Sequence, residues 1–198
     1  MSLLSCIAAN WQKALPFLSA LGIVAWIVLF RTNPLNERAL WMALLVIYLL
    51  HQIEEHLWPG GFRQFTNAHV FKSGKDDWPV DGGGVALVNT AFVWLPIGLA
   101  VLLPSSLRWI GLLWVGLTLI NGLIHIVTSV RLRIYNPGLV TSIVLFLPFT
   151  IFVLALESGR GALSGAQIGL ILLGGIILHL PVAALFAVPF MRRRRMVA

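Results

Sequence analysis

Cysteine is almost missing from this chain: Cys6 stands alone among 198 residues, which excludes an internal disulfide and any thiolate metal site. Charge is scarce as well, at 11% of residues, and acidic groups number only 7. Against 59% hydrophobic residues and a mean hydropathy of +0.91, that scarcity excludes the soluble classes and places the chain among multi-spanning membrane proteins. The net charge of +7 does not signal nucleic acid, because the lysines and arginines lie between apolar runs and at the tail, where they set topology. Further absences narrow the choice. Gly82-Gly83-Gly84 is not followed by Gly-Lys-Ser/Thr, so it makes no phosphate cradle. No internal repeat supports an inverted-repeat transporter. Early positive charge and a small-residue cleavage site are both missing near the start, so the first apolar run reads as a span and not a signal peptide.

What is present is apolar length. Runs at about 15–30, 39–58, 85–103, 107–130, 138–156 and 165–190 predict an all-α polytopic membrane protein, a six-transmembrane-helix bundle forming one domain over 1–198. Asn33-Pro34 breaks the chain before the second run, with Asn36 as its cap, and Pro59-Gly60-Gly61 closes it. Residues 1–13, with Trp11 and Lys13, read as a surface segment, and 62–84 as a loop on the headgroups that mixes charge with Phe62, Phe65, Phe71 and Trp78. One side of the predicted topology holds about ten Lys and Arg against about four opposite, which puts both termini on the cytoplasmic face of the inner (plasma) membrane. The Arg192 to Arg195 cluster reads as topology signal and anionic-lipid contact.

Inside the second run stands His51-Gln52-Ile53-Glu54-Glu55-His56. An acidic residue at the centre of a span costs roughly 2.5 to 3.5 kcal/mol on insertion scales, so a cation, a proton or a partner side chain must compensate Glu54 and Glu55. His51 and Glu55 are four apart, His51 and Glu54 three apart, and Tyr48 precedes His51 by three, so one helical face presents imidazole and carboxylate together. Thr118, Asn121, His125 and Thr128 share a face of the fourth helix. At about 1.5 Å rise per residue, His51, Glu54, Glu55, Asn89 and His125 all lie within about 10 Å of the cytoplasmic surface, and Asn121 and His179 somewhat deeper, at roughly 13 to 16 Å. That depth allows one shared cavity. Imidazole and carboxylate suit zinc, iron or manganese, and the His/Glu pairing at three residues occurs in diiron helix bundles.

The stretch His51-Gln52-Ile53-Glu54-Glu55 resembles a family of small integral membrane proteins named for an HXXEE motif, and the resemblance covers most of the six-helix body. It implies that His51, Glu54 and Glu55 form the defining site and points to a metal-dependent membrane enzyme; it implies no substrate.

The expected function is a metal-dependent membrane enzyme, hydrolase or oxidoreductase, acting on a lipid or isoprenoid-like substrate from the cytoplasmic leaflet. His51, Glu54 or Glu55, His125 and His179 are the metal candidates, the other glutamate is the general base, and Asn89 and Asn121 orient ligands or stabilise developing negative charge. Three alternatives stand beside it: a metal-independent Glu/His/Asn hydrolase with the chemistry of CAAX-type intramembrane proteases, though Arg63 comes too late for their EExxxR spacing; a proton or cation carrier; and a haem-binding protein using two of His51, His125 and His179. Plainer roles also exist. Either glutamate can reach water or pair with Arg63, Arg131 or Arg133; His56 reads as interfacial and His69 as a loop residue. Thr118 and Asn121 can simply join helices, and His179 can bond a carbonyl freed by Pro181.

Overall fold

The helix that carries the motif starts at a side-chain cap: Asn36 Oδ1 accepts a hydrogen bond from the Ala39 amide at 2.8 Å, and Glu37 in the first turn complements the helix dipole. The computed structural model describes residues 10–197; residues 1–9 and 198, with Cys6 and most of the expected surface segment 1–13, lie outside the described residues. α1 (Leu15–Thr32) follows a single 3-10 turn, Trp11–Ala14. α2 (Glu37–His56) leads into the short α3, whose turn Phe62–Phe65 continues as a wider π turn over Thr66–Phe71. α4 (Gly82–Leu102), α5 (Arg108–Leu132), α6 (Leu139–Gly159) and α7 (Gly165–Val197) complete the chain. Among the described residues every element is helical.

Among the described residues, five segments are long and apolar enough to cross a membrane: Trp11–Thr32, Gly82–Leu102, Arg108–Leu132, Leu139–Gly159 and Gly165–Met196. The expected count of six is not reached on that criterion, because α2 ends in His51, Gln52, Glu54, Glu55 and His56. α2 is nonetheless interior: α1 and α4 pack along it, and it exposes no large apolar residue, whereas α1, α5 and α7 turn Val24, Val127 and Leu170 outward.

The 62–84 segment departs from the loop expectation at both ends. Its first part is helical, and α4 starts at Gly82 because Asp81 Oδ1 caps the Gly84 amide at 2.8 Å. Between them, buried Asn67 donates to the Asp76 and Val80 carbonyls and accepts from the Val80 amide, pinning the chain with three bonds of 2.8–2.9 Å. α7 begins with a reciprocal cap between Ser164 and Gln167. It runs on past 190 through Pro181, Pro189 and the arginines, with Arg193 stacked on Trp78 at 4.9 Å.

Proline shapes α4 and α6 alike. Pro96 and Pro148 each follow a π stretch, Val88–Trp94 and Ser142–Phe146. A proline ring clashes with the carbonyl four residues back and offers it no N–H, so the turn widens. For Pro96 that carbonyl is Phe92's, and Trp114 Nε1 of α5 donates to it at 3.1 Å. The break in one helix thus becomes a tie to its neighbour. The core joins Trp41, Leu44, Tyr48, Ile97, Leu112, Val115, Phe146 and Ile171. Two helices approach closely where small residues meet: a Cβ on Gly175 of α7 would stand 2.6 Å from the Gly116 backbone of α5.

The two ends of the bundle differ. At one, Arg108 pairs with Glu37 at 2.9 Å and with buried Glu157, and Arg160 reaches Glu157 at 3.4 Å and the Leu35 carbonyl at 3.0 Å. At the other, the end of α2 meets α3, the start of α4, the end of α5 and the start of α6.

Candidate functional site

Glu55 occupies the centre of that second end, and three imidazoles surround it. Oε1 lies 3.5 Å from His51 Nε2, one turn earlier on α2, and 3.3 Å from His125 Nε2 of α5. Oε2 lies 3.4 Å from Nε2 of His56. His51, Glu55 and His125 are all buried, and one ligand atom from each falls within 4.8 Å of the others. The imidazoles of His51 and His125 stand edge to face with centroids 4.9 Å apart.

Glu54 points elsewhere. Oε1 accepts from the Tyr135 hydroxyl at 2.6 Å and the Val140 amide at 2.9 Å; Oε2 accepts from the Thr141 amide at 2.7 Å and its hydroxyl at 2.5 Å. The carboxylate therefore caps the start of α6 from across the bundle, where exposed amides favour negative charge. With four donors on two oxygens it is separate from the cluster around Glu55. Neither glutamate pairs with Arg63, Arg131 or Arg133 among the described residues. Tyr135, in the loop before α6, is pushed above the ordinary phenol range by partial burial and then by its bond to Glu54.

Thr141 links the two carboxylates' surroundings. Its one hydroxyl hydrogen goes to Glu54, so its oxygen is free to accept from His51 Nδ1 at 2.8 Å. That arrangement assigns the His51 tautomer: Nδ1 carries the proton, and Nε2 presents a lone pair toward Glu55. Among the described residues, Nε2 of His51 is buried without a hydrogen-bond partner, as is Nδ1 of His125. Gly138 makes room for both rings. Its φ is +99°, and a Cβ there would stand 2.7 Å from His51 Cε1 and 2.6 Å from His125 Cε1.

Two buried lone-pair-bearing atoms facing each other are unfavourable unless a metal ion or a proton lies between them. Ligands about 2.1 Å from a tetrahedral ion stand about 3.4 Å apart. The 3.5 and 3.3 Å separations about Glu55 Oε1 match that edge, and the nitrogen and oxygen donors suit zinc, iron or manganese.

A second network holds the opposite side of Glu55. Trp94 Nε1 donates to Gln52 Oε1 at 2.7 Å, Gln52 donates to Asn89 Oδ1 at 2.5 Å, and Asn89 Nδ2 lies 3.3 Å from His56 Nε2 and 3.0 Å from the Val85 carbonyl. Trp11 packs on His56 at 5.0 Å. Of the remaining predicted residues, Asn121 and His179 line a cavity with Tyr48 and Glu55, and His179 bonds the Gly175 carbonyl of its own helix at 2.7 Å. That carbonyl is not the one opened by Pro181, and His179 stands outside the His51, Glu55 and His125 cluster. Thr118 bonds back to the Trp114 carbonyl at 2.7 Å.

The sequence assigns no site role to Thr141, Tyr135, Gly138 or Gln52 and reads His56 as interfacial, whereas the fold sets His56 against Glu55. Pro137-Gly138 directly before an apolar run was the available signal for a left-handed helix start. Gln52 carried its own: an uncharged polar residue between the two motif ends, inside a span, needs partners.

Comparison with curated proteins finds no match, and comparison with solved structures finds none. Residues 41–153, more than half of the chain and enclosing the motif, His125, Gly138 and Thr141, match the family described as protein of unknown function with HXXEE motif, and the chain belongs to that family.

Proposed function

We propose that this protein is a polytopic membrane enzyme that binds one divalent metal ion through His51, Glu55 and His125 and acts on a lipid-like substrate. The observation that carries this reading is the buried, unpartnered Nε2 of His51, whose tautomer Thr141 sets so that its lone pair faces Glu55 and His125. Three protein ligands with a further position open is the pattern of catalytic zinc sites, and a divalent ion there supplies Lewis acidity. The chain's own groups do the rest. Glu54, through Thr141, holds the His51 ring; His56, steadied by Asn89, faces the second oxygen of Glu55 and is placed to move a proton. Asn121 and Tyr48 meet the substrate in the cavity wall.

That cavity supports the choice of substrate class. It encloses about 310 Å³ between α2, α4, α5 and α7, is mostly apolar, and reaches Glu55. Val88, Phe92 and Val182 also line a groove between α4 and α7, a lateral path for a chain held in the bilayer. The six-helix expectation makes α2 a crossing, and its lack of exposed large apolar residues supports a place inside the bundle, shielded by its neighbours. The excess of Lys and Arg on the site side makes that side, with both termini, cytoplasmic. A relay through the bundle is disfavoured, since the dry core around Trp41, Leu112 and Ile171 separates the site from the Arg108 and Glu157 cluster.

Elemental analysis of detergent-purified protein tests the proposal. Wild type and His179→Ala carry about one equivalent of metal, while His51→Ala, Glu55→Ala and His125→Ala lose it, three ligands being the minimum for such a site. Equal metal content in all five preparations would sink the ligand assignment.

A further inference from the structure

Glu55 lines two cavities. Beside the apolar one lies a second, of about 420 Å³, walled by Trp11, His56, Arg63 and Gln64. Glu55, Phe62 and Val85 border both, so the candidate metal centre stands at a junction between a polar chamber and an apolar one. That division is the shape of an amphiphile.

Arg63 decides the sign of the polar end. It is half-buried in the chamber wall, and no carboxylate pairs with it among the described residues. The acidic group in the same chamber, Glu55, is turned to His51, His125 and His56. A guanidinium presents a planar fork of donors that matches the oxygens of a phosphate or carboxylate, and partial burial strengthens such a bond. Gln64, beside it in the wall, adds an uncharged donor to the same space.

We infer that the chamber walled by Arg63 and Gln64 binds the oxyanion head of a single-chain amphiphile whose tail occupies the apolar cavity between α2, α4, α5 and α7. The inference rests on the reading of Glu55 as part of the reacting centre: the bond between head and chain then lies beside it, at Phe62.

Calorimetric titration of the full chain in nonionic detergent tests this with three probes: dodecyl phosphate, dodecyltrimethylammonium and inorganic phosphate. Dodecyl phosphate is expected to bind at least about tenfold more tightly than either of the others, and Arg63→Gln to weaken it by about tenfold. Val182→Trp, which fills the tail cavity, is expected to weaken dodecyl phosphate and leave inorganic phosphate alone. Equal binding of dodecyltrimethylammonium, or unchanged binding in Arg63→Gln, overturns the anionic head. Inorganic phosphate binding as tightly as dodecyl phosphate makes the chamber a free-anion site and overturns the amphiphile. Should Arg63→Gln fail to fold, the ranking of probes on wild type decides. Metal content of the same samples separates the two claims: metal-free wild type that still ranks the probes as expected sinks the metal centre alone, and metal-loaded protein indifferent to head charge sinks this inference alone.

Discussion

Nε2 of His51 and Oε1 of Glu55 face each other at 3.5 Å across one turn of α2, and the proton that would join them is on the far side of the ring. That pair explains the motif's form. A spacing of four puts imidazole and carboxylate on one face, and the glutamate between them, at three, turns 100° aside to cap α6. The two glutamates are not interchangeable.

Thr141 should matter through His51. Thr141→Val removes the hydroxyl and leaves buried Nδ1–H and Glu54 short of partners, a loss of about 1–3 kcal/mol in stability. Metal affinity should fall by roughly 10 to 100 fold, while Thr141→Ser keeps both. Chelator competition on the purified variants reads the difference; a Val variant that holds metal like wild type would remove Thr141 from the site's support.

Gly138→Ala meets two obstacles at once. The left-handed φ of +99° strains an alanine, and its Cβ would press on both imidazoles. Strain of this kind costs about 1–3 kcal/mol before the clash is added. Lower melting temperature with loss of metal is expected; Gly161→Ala, at φ +69° in open space, should lose a comparable amount of stability and no metal.

Tyr135 gives the site a pH signature. Its phenol is pushed above the ordinary value by partial burial and the Glu54 bond, so the fold favours the neutral form. Its contribution to stability is complete below about pH 10 and is lost as pH rises through the raised value. Absorbance titration in a Tyr48→Phe background, which leaves Tyr135 as the one tyrosine of 2, should show late ionisation that Glu54→Gln brings down toward the ordinary value. Unchanged titration in Glu54→Gln would break the assigned bond.

At the opposite end, Glu157→Ala takes from Arg108 one of its two carboxylate partners, leaving Glu37, and removes a partner of Arg160. Because Glu37 still holds Arg108, the loss of stability should stay below the about 3–5 kcal/mol of a fully stranded buried charge, and metal content should stay at the wild-type level. Thermal unfolding in detergent with elemental analysis checks both; loss of metal would show that the two ends are coupled.

In a chain with so few charges, His51, Glu54, Glu55 and His125 within apolar runs stand out from the sequence, and apolar length with Asn36 and Pro59 marks most helices to within a few residues. Hydropathy was a poorer guide for α2. The sequence reads it as a crossing, but its polar end leaves it less apolar than the five long apolar helices, and that end is covered by protein. The division of labour between Glu54 and Glu55 lay outside the sequence, because adjacent carboxylates differ only in what stands opposite them. That is decided by Val140, Thr141 and Tyr135, more than 80 residues away, and by His125, 70 residues away. Spacing along one helix sets the direction in which a side chain leaves; only packing of the helices supplies what it meets.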